Sequence, residues 1–410
     1  MDEIDIPQYF LCPISLQIMK DPVTTVTGIT YDRESIEKWL TGAATATVCP
    51  VTKQPLARDS DLTPNHMLRR LIQAWCIANA KNGIDRIPTP KSPVQRSLVL
   101  KLIRDVSKSN SLLNLNALKK LAELAENEKN QKSMAEAGVA KAIILFVLKS
   151  FRKGETLGLE EALRILQFTW SHTTENKKLL EENADLIQSM LWILKITGLG
   201  NTVKTQTHAL IVLKKVIEVA SATLTAETLN HNFFTEMVNI LRGNSSPQAK
   251  KAALGILIQT CPFGRNRIKI IEAGAVFELI EMELANPEKK ITDLIFCLLA
   301  QLCSCADGRQ QFLKHSGGIA VAAKRLLRVS PATDDRVLYV IESIARFSAT
   351  REVVMEMLRV GAVSKVCMVL QADCADYLKK KAREILRLHS RVWSDSPCIQ
   401  VYLLTRIIPR

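Results

Sequence analysis

Gly274, Gly318 and Gly361 stand 44 and 43 residues apart, and each occupies the same kind of surroundings. A polar start leads to a small-residue turn and then to a strongly apolar run, in NRIKIIEAGAVFELIEMEL, GRQQFLKHSGGIAVAAKRLL and REVVMEMLRVGAVSKVCMVL. Gly138, in NQKSMAEAGVAKAIILFVL, marks a fourth copy. The 136 residues between Gly138 and Gly274 leave room for two more, filled by NKKLLEENADLIQSMLWIL and the weaker HNFFTEMVNIL. A period of this length restricts the chain to stacked units, none of which can bury its apolar face without a neighbour. Each apolar run is followed by another, including LEEALRILQF, TQTHALIVLKKVI, SPQAKKAALGILI, ITDLIFCLLAQL, DDRVLYVIESIA and YLKKKAREIL. The expectation is a mostly α protein whose bulk is an α-solenoid of about six repeats, some degenerate.

Composition agrees. The 410 residues are 47% hydrophobic but only 5% aromatic, a Leu/Ile/Ala/Val-rich balance typical of helical layers. The longest apolar run, Ala142 to Leu148, is far too short to span a bilayer, and the acidic start MDEIDIP does not read as a secretory leader. Ten cysteines scattered through apolar patterns suit a reducing compartment, so a cytoplasmic location is expected, with nuclear or peripheral membrane association open. The net charge is +14, yet residues 1–80 hold seven Lys/Arg against nine Asp/Glu, leaving 48 against 32 for the remainder. The basic character therefore belongs to the repeats. Charge alone does not choose among nucleic acid, anionic lipid and acidic protein as partners.

The N-terminal segment reads differently. The loop LCPISLQIMKDPV precedes a strand-like Val23–Val26, a turn at Thr27-Gly28 and a second strand at Ile29–Tyr31. Asp32 is placed to cap a short helix bearing Ile36, Trp39 and Leu40. A Gly/Ala/Thr loop leads to CPVTKQPL, and Thr63-Pro64 is read as opening a last helix with Leu68, Leu71, Ile72, Trp75 and Cys76 on its buried side. A zinc-bound RING has similar proportions, but its two sites require eight Cys/His ligands. This segment has Cys12, Cys49, Cys76 and His66, with no C-x-x-C pair. Zinc is excluded by that count, and no other metal or cofactor is expected. The segment must hold itself together with a small apolar core and with hydrogen bonds and ion pairs among residues such as Asp21, Tyr31, Asp32, Arg33 and Asn65.

From IPQYFLCPISLQIMKDPVTTVTGITYDRESIEKWL through CPVTKQPL to LTPNHMLRRLIQAW, about 70 residues resemble a U-box, the zinc-free relative of the RING. The repeats resemble armadillo repeats, and the combination resembles the plant U-box/armadillo ubiquitin ligases. The stretches AGAVFELIEMEL, GGIAVAAKRLLRVSP and LLTRI add to the likeness. It implies a U-box over residues 4–82, a proline-containing linker over 83–96, armadillo repeats over 97–395 and a tail over 396–410. It further implies a ubiquitin-protein transferase with no covalent ubiquitin–enzyme intermediate, in plant stress or immune signalling. A ubiquitin-charged conjugating enzyme would dock on Ile14, Leu16, Trp39, Pro50 and Val51. Lys53 stands where the family commonly places a ubiquitin-orienting basic residue; a lysine lacks the planar fork of arginine. Cys12, Tyr31, Asp32, Cys49 and Asn65 would be structural, with no catalytic nucleophile. U-boxes can self-associate, so oligomerisation stays open.

The third helix of each repeat would line a groove for a protein substrate. Lys214, Lys215, Lys250, Lys251, Lys289, Lys290, Lys379 and Lys380 lie on those helices and favour an acidic partner; the alternative is an ordinary solvated surface. Two rivals follow from the same residues: a non-catalytic armadillo scaffold, and a basic binder of nucleic acid or membrane surfaces. The second lacks an aromatic stacking platform, so no nucleic-acid partner is expected.

Overall fold

The computed structural model describes residues 6–41, 48–57, 61–80, 96–108, 111–183, 185–196, 202–221, 225, 229–263, 265–394, 396, 397, 399 and 400. The Gly/Ala/Thr loop, nearly all of the proline-containing linker and most of the tail lie outside them. The chain divides into two units, 1–93 and 94–410.

The first unit is built on an antiparallel sheet of order β2-β1-β3. β1 (Pro22–Thr24) pairs with β2 (Thr30–Asp32), Val23 opposite Tyr31, and on its other side with β3 (Thr63–Pro64). β1 ends at Thr24, two residues short of the Val26 expected from sequence, and Thr25 lies in the turn that follows. Its amide and hydroxyl both bond the Ile29 carbonyl, at 3.0 and 3.2 Å, closing the turn around Gly28. α1 (Arg33–Thr41) packs against β2 and α2 (His66–Ala78) against β1. Phe10, Cys12, Met19, Val23, Tyr31, Ile36, Leu40, Cys49, Leu56, Ile72 and Cys76 form one buried cluster.

Three local readings are corrected. Asp32 does not cap α1: its carboxylate turns back to accept the amides of Lys20 and Asp21, at 2.7 and 2.9 Å. Thr63-Pro64 does not open α2 but pairs with β1 at the sheet edge, where a missing N–H costs no ladder bond. The cap is Asn65, whose side chain accepts from Leu68 N–H at 3.1 Å. Leu71 is exposed, because the buried stripe of α2 runs through Ile72 and Cys76.

Among the described residues of the second unit, seven pairs of helices stack in order. The pairs are α3 (Arg96–Ser107) with α4 (Ser111–Ala125), α6 (Val139–Lys153) with α7 (Leu159–Thr169), and α9 (Asp185–Lys195) with α10 (Thr202–Val219). There follow α11 (His231–Arg242) with α12 (Pro247–Thr260), α14 (Ala275–Leu284) with α15 (Lys289–Leu302), α17 (Gly318–Arg325) with α18 (Pro331–Phe347), and α20 (Ala362–Gln371) with α21 (Asp376–Leu388). Among the described residues, short helices precede five of the pairs: α5 (Glu128–Glu136), α8 (Thr174–Glu182), α13 (Asn266–Glu272), α16 (Ala306–Lys314) and α19 (Arg351–Arg359). A last short helix, α22 (Ser390–Trp393), closes the series. The second member of each pair packs on the second member of the next, from α4 through to α21, and one continuous apolar core runs the length of the unit. The six turn-bearing copies in the sequence are the last six pairs; α3 and α4 precede them without a turn copy. Among the described residues no helix is long and apolar enough to cross a membrane.

Gly138, Gly274 and Gly361 adopt φ of +79°, +84° and +76° with open space where a Cβ would stand, so backbone conformation is what demands glycine there. Gly318 is different. It is the first residue of α17, and a Cβ on it would lie 2.5 Å from the Phe312 carbonyl oxygen, so close approach is the reason.

The asparagines that start the repeats also have a physical role. Asn130, Asn176 and Asn266 donate their side-chain amides to the carbonyls of Leu124, Ser171 and Thr260, at 3.0, 2.8 and 3.2 Å. Each ties a short helix to the end of the preceding long one or to the turn just beyond it, and satisfies a carbonyl there. Arg309 replaces asparagine in α16 and reaches the Cys303 carbonyl at 3.1 Å. Beside it, a Cβ on Gly308 would run into the Leu302 carbonyl, which is backbone and cannot yield. Gly308→Ala is therefore expected to cost about 3 kcal/mol, the upper end for overpacking, read as a lowered urea midpoint.

Candidate functional site

Two loops of the first unit share one backbone. In the first, Leu11 bridges Ile18, Cys12 N–H donates to the Gln17 carbonyl at 2.8 Å, and Leu16 N–H to the Cys12 carbonyl at 2.8 Å. In the second, Val48 bridges Pro55, Cys49 N–H donates to the Gln54 carbonyl at 2.8 Å, and Lys53 N–H to the Cys49 carbonyl at 3.0 Å. Leu16 and Lys53 adopt the same left-handed conformation, φ +55° and +58°. The shared signal is C-P-x-[S/T]-x-Q, present as CPISLQ and CPVTKQ, which can be seen in the sequence once the two segments are aligned.

Both loops are held from inside by sulfur. Cys12 and Cys49 are wholly buried. Cys12 Sγ accepts from Asp32 N–H at 3.3 Å. Cys49 Sγ lies 2.9 Å from Tyr31 Oη, and accepts from Thr27 Oγ1 at 3.3 Å and Thr52 N–H at 3.5 Å. Burial pushes the Cys49 thiol up, but the hydroxyl and amide donors of Thr27, Thr52 and Tyr31 outweigh it and hold the group down at about 6. Cys12 is lowered in the same way, burial being outweighed by the amides of Ser15, Asp32 and Ile14. Tyr31 moves upward, through burial and its contact with Cys49.

An ion-pair cluster braces the base of the first loop. Arg33 Nε meets Asp21 at 2.8 Å, Arg69 lies 3.8 Å from the same carboxylate, and Arg33 N–H donates to the Asp21 carbonyl. Asn65 adds Nδ2 to Thr30 Oγ1 at 3.4 Å and its own amide to the Pro22 carbonyl at 2.8 Å. Among the described residues no three His, Cys, Asp or Glu side chains gather to hold a metal ion. Thr27, Thr52 and Arg69 belong to this framework; sequence reasoning reads Thr27 only as a turn residue and does not single out the other two, though the position of Thr52 in the doubled motif signals it.

The framework turns the loop tips outward. Leu16 is 75% exposed and Val51 49%, while Ile14 and Pro50 are half-buried. Trp39, on α1, is 37% exposed and ties its indole N–H to the Val48 carbonyl at 3.1 Å. Its ring is thus anchored to the second loop while one face stays open. At matching points the first loop carries apolar Leu16 and the second carries Lys53, an exposed cation. The unit therefore offers apolar side chains on a pre-shaped frame with one positive charge, and its sulfurs face inward. That arrangement suits docking of another protein and keeps the two loop thiols out of reach of a substrate.

The lysines of the second unit are less alike than their spacing implies. Lys215 Nζ donates to the Gln167 carbonyl at 2.5 Å, and burial lowers its pKa. Lys214 meets Glu218 at 3.6 Å and Lys251 meets Glu288 at 3.1 Å. Lys289, Lys290 and Lys380 are exposed, while Lys250 and Lys379 are partly covered.

Two family models match the chain. One, described as U-box domain, covers residues 6–81; the other, plant U-box protein ARM repeat region, covers residues 98–409. Among curated relatives, E3 ubiquitin-protein ligase PUB23 of Arabidopsis thaliana is 44% identical over 97% of this chain and 96% of its own length. E3 ubiquitin-protein ligase PUB24 of the same plant is 41% identical over 99% and 97%. Among solved structures an engineered protein matches 71% of this chain and 68% of its own at a TM-score of 0.55 and 19% identity, a likeness of fold alone. With a U-box model over its first unit and the plant repeat model over most of the rest, this chain belongs to the plant U-box proteins with an armadillo-repeat region.

Proposed function

We propose that this chain is a ubiquitin-protein ligase that docks a ubiquitin-charged conjugating enzyme on its twin loops and α1 and presents a protein substrate on the armadillo repeats. The observation that carries the reading is the pair of loops with matching backbone hydrogen bonds, which expose Leu16 and Val51, leave Ile14 and Pro50 half-buried and bury both sulfurs. The thioester of a charged conjugating enzyme already holds the activation, so the ligase contributes orientation rather than covalent chemistry. Trp39 completes the apolar surface. Lys53, fixed at the tip of the second loop, donates to the enzyme–ubiquitin pair and restrains the thioester in a reactive arrangement. Kinship with E3 ligases supports the activity; action in plant stress or immune signalling, and in the cytoplasm, belongs to the same proposal.

The test is ubiquitin-chain formation by the purified chain with activating enzyme, a panel of conjugating enzymes and ATP. Ile14→Ala, with the U-box shown folded by its melting, is expected to weaken conjugating-enzyme binding by about 30-fold, as for a hot-spot truncation, and to remove chains. Lys53→Ala is expected to slow discharge of ubiquitin about ten-fold while leaving binding of the uncharged enzyme intact, the effect of one lost charge-assisted hydrogen bond. Absence of chains with every conjugating enzyme would leave the scaffold reading in its place.

A further inference from the structure

We infer that the outer faces of α18 and α21 form a docking surface for an acidic segment of a partner protein that also carries apolar side chains. The inference rests on the ligase reading and specifies the chemistry of what the repeats hold.

Exposed aromatic and large apolar side chains are unevenly distributed along the row formed by the second member of each pair. On α7, α10, α12 and α15, Val203 is the one large apolar residue exposed among the described residues. At the far end of the row, α18 exposes Tyr339 and Phe347, the latter 66% exposed, and α21 exposes Tyr377 and Leu388. At the other end α4 exposes Leu112 and Leu113 at its first turn, with no aromatic among them.

Charge follows the same division. On α18 the charged groups are already engaged: Asp335 with Lys381 at 2.5 Å, Glu342 with Arg346 at 2.8 Å, and Arg336 with the Asp293 carbonyl at 2.8 Å. On α21, Lys380 and Arg387 have no ion-pair partner among the described residues, and Arg383 gives only its Nε to the Lys379 carbonyl. Lys380, Arg383 and Arg387 fall three and four residues apart, on one helical face. They line an open concavity of about 630 Å³ with Tyr377, Asp376 and Glu384. Three cations against two carboxylates leave it positive.

A further cation, Arg309, contacts Phe347. The guanidinium of Arg309 lies 5.1 Å from the centre of the Phe347 ring. Aromatic surface beside unpaired cations is complementary to a segment in which acidic and apolar residues alternate. A uniformly acidic segment would leave the rings idle, and a purely apolar one would leave the cations without a counter-charge.

The experiment uses the purified full chain and a fluorescent 12-residue peptide built from Glu-Glu-Leu-Phe repeats, followed by anisotropy. Controls are the same peptide with lysine for glutamate, and a polyuridylate oligonucleotide as competitor. The expected result is binding of the glutamate peptide alone, weakening as salt rises through the range that screens surface charge. The double variant Lys380→Glu/Arg387→Glu is expected to weaken binding about ten-fold by reversing two surface contacts, and Tyr377→Ala by a similar factor through loss of an aromatic anchor. Lys119→Glu/Lys120→Glu, equal in charge change but on exposed positions of α4 at the other end of the row, is expected to leave the affinity within a factor of about two. Equal weakening by both double variants, equal binding of the lysine peptide, or displacement by polyuridylate at the same concentration would each overturn the inference. Binding that appears only after residues 401–410 are removed would overturn it too, since the chain's own tail would then be the occupant. Chain formation by the same preparation, lost in Ile14→Ala, tests the ligase reading separately, so the two can fail independently.

Discussion

Replacing Arg325 by methionine is expected to lower the stability of the repeat domain by about 3–5 kcal/mol, the cost of leaving a buried charge without its partner. Glu283, near the end of α14, has a fully buried side chain that pairs with Arg325 of α17 and accepts from Thr292 Oγ1 of α15 at 3.3 Å. Its second carboxylate oxygen is buried without a donor. Arg325 also reaches the Asn286 side chain at 2.9 Å, so one guanidinium joins consecutive repeats. Burial pushes the Glu283 carboxyl above its ordinary range, against the pull of Arg325. Without Arg325 the burial is opposed only by the Thr292 hydrogen bond and the charge of Lys324, and the native carboxyl keeps its proton to a higher pH than the unfolded chain does. The unfolded state then binds fewer protons, so the variant's stability falls as pH rises, and its deficit is largest near about pH 8 and shrinks toward about pH 5. Urea denaturation at both pH values measures this. A deficit independent of pH would show that Glu283 is not the group left behind. Adding Glu283→Leu to the variant is expected to recover most of the loss, because removing both members of a buried pair costs far less than removing one.

The second large effect is expected in the U-box. Tyr31 is wholly buried, its ring in the apolar cluster and its hydroxyl on Cys49 Sγ. Tyr31→Ala is expected to cost about 3–5 kcal/mol, as for other buried aromatics. A unit of this size has little stability to lose, so the U-box should unfold while the repeats, with a separate core, melt as in the wild type. Calorimetry should then show the loss of one transition, and ubiquitin chains should vanish with it. Tyr31→Phe keeps the ring and removes one hydrogen bond, expected to cost about 1 kcal/mol and to leave the ligase active. A Tyr31→Ala chain that still makes chains would mean that Cys49 and Thr52 hold the second loop without it.

The repeats were legible because their signal is periodic. A glycine or a small-residue turn, an asparagine before it and two apolar runs after it recur for reasons that act within a single repeat. The third helices named from sequence are those that form the stacked row, from LEEALRILQF to YLKKKAREIL. Less legible was whatever depends on a neighbour one repeat away. Lys215 and Lys250 look alike in sequence, yet one caps a carbonyl of the previous repeat and the other does not. Gly318 shares the spacing of the turn glycines but answers to the Phe312 carbonyl. In the U-box, Asp32 and Thr63-Pro64 carry strong local signals for helix starts, and tertiary demands took them both. The carboxylate was needed by two loop amides, and the dipeptide by the free edge of β1. The proposed docking residues came from family resemblance; exposure and loop geometry place Leu16 and Val51 at the surface, while Trp39 proved half occupied by Val48.

The twin loops separate two duties that most interfaces impose on the same atoms. Their shape is kept by backbone amides, two sulfurs and the Gln17 and Gln54 carbonyls, whereas the surface they offer comes from Leu16, Val51 and Lys53, which add little to that shape. Substitutions at the tips can therefore drift with small effect on folding, and on the proposed docking the set of conjugating enzymes a descendant accepts can change one side chain at a time without passing through an unfolded ancestor.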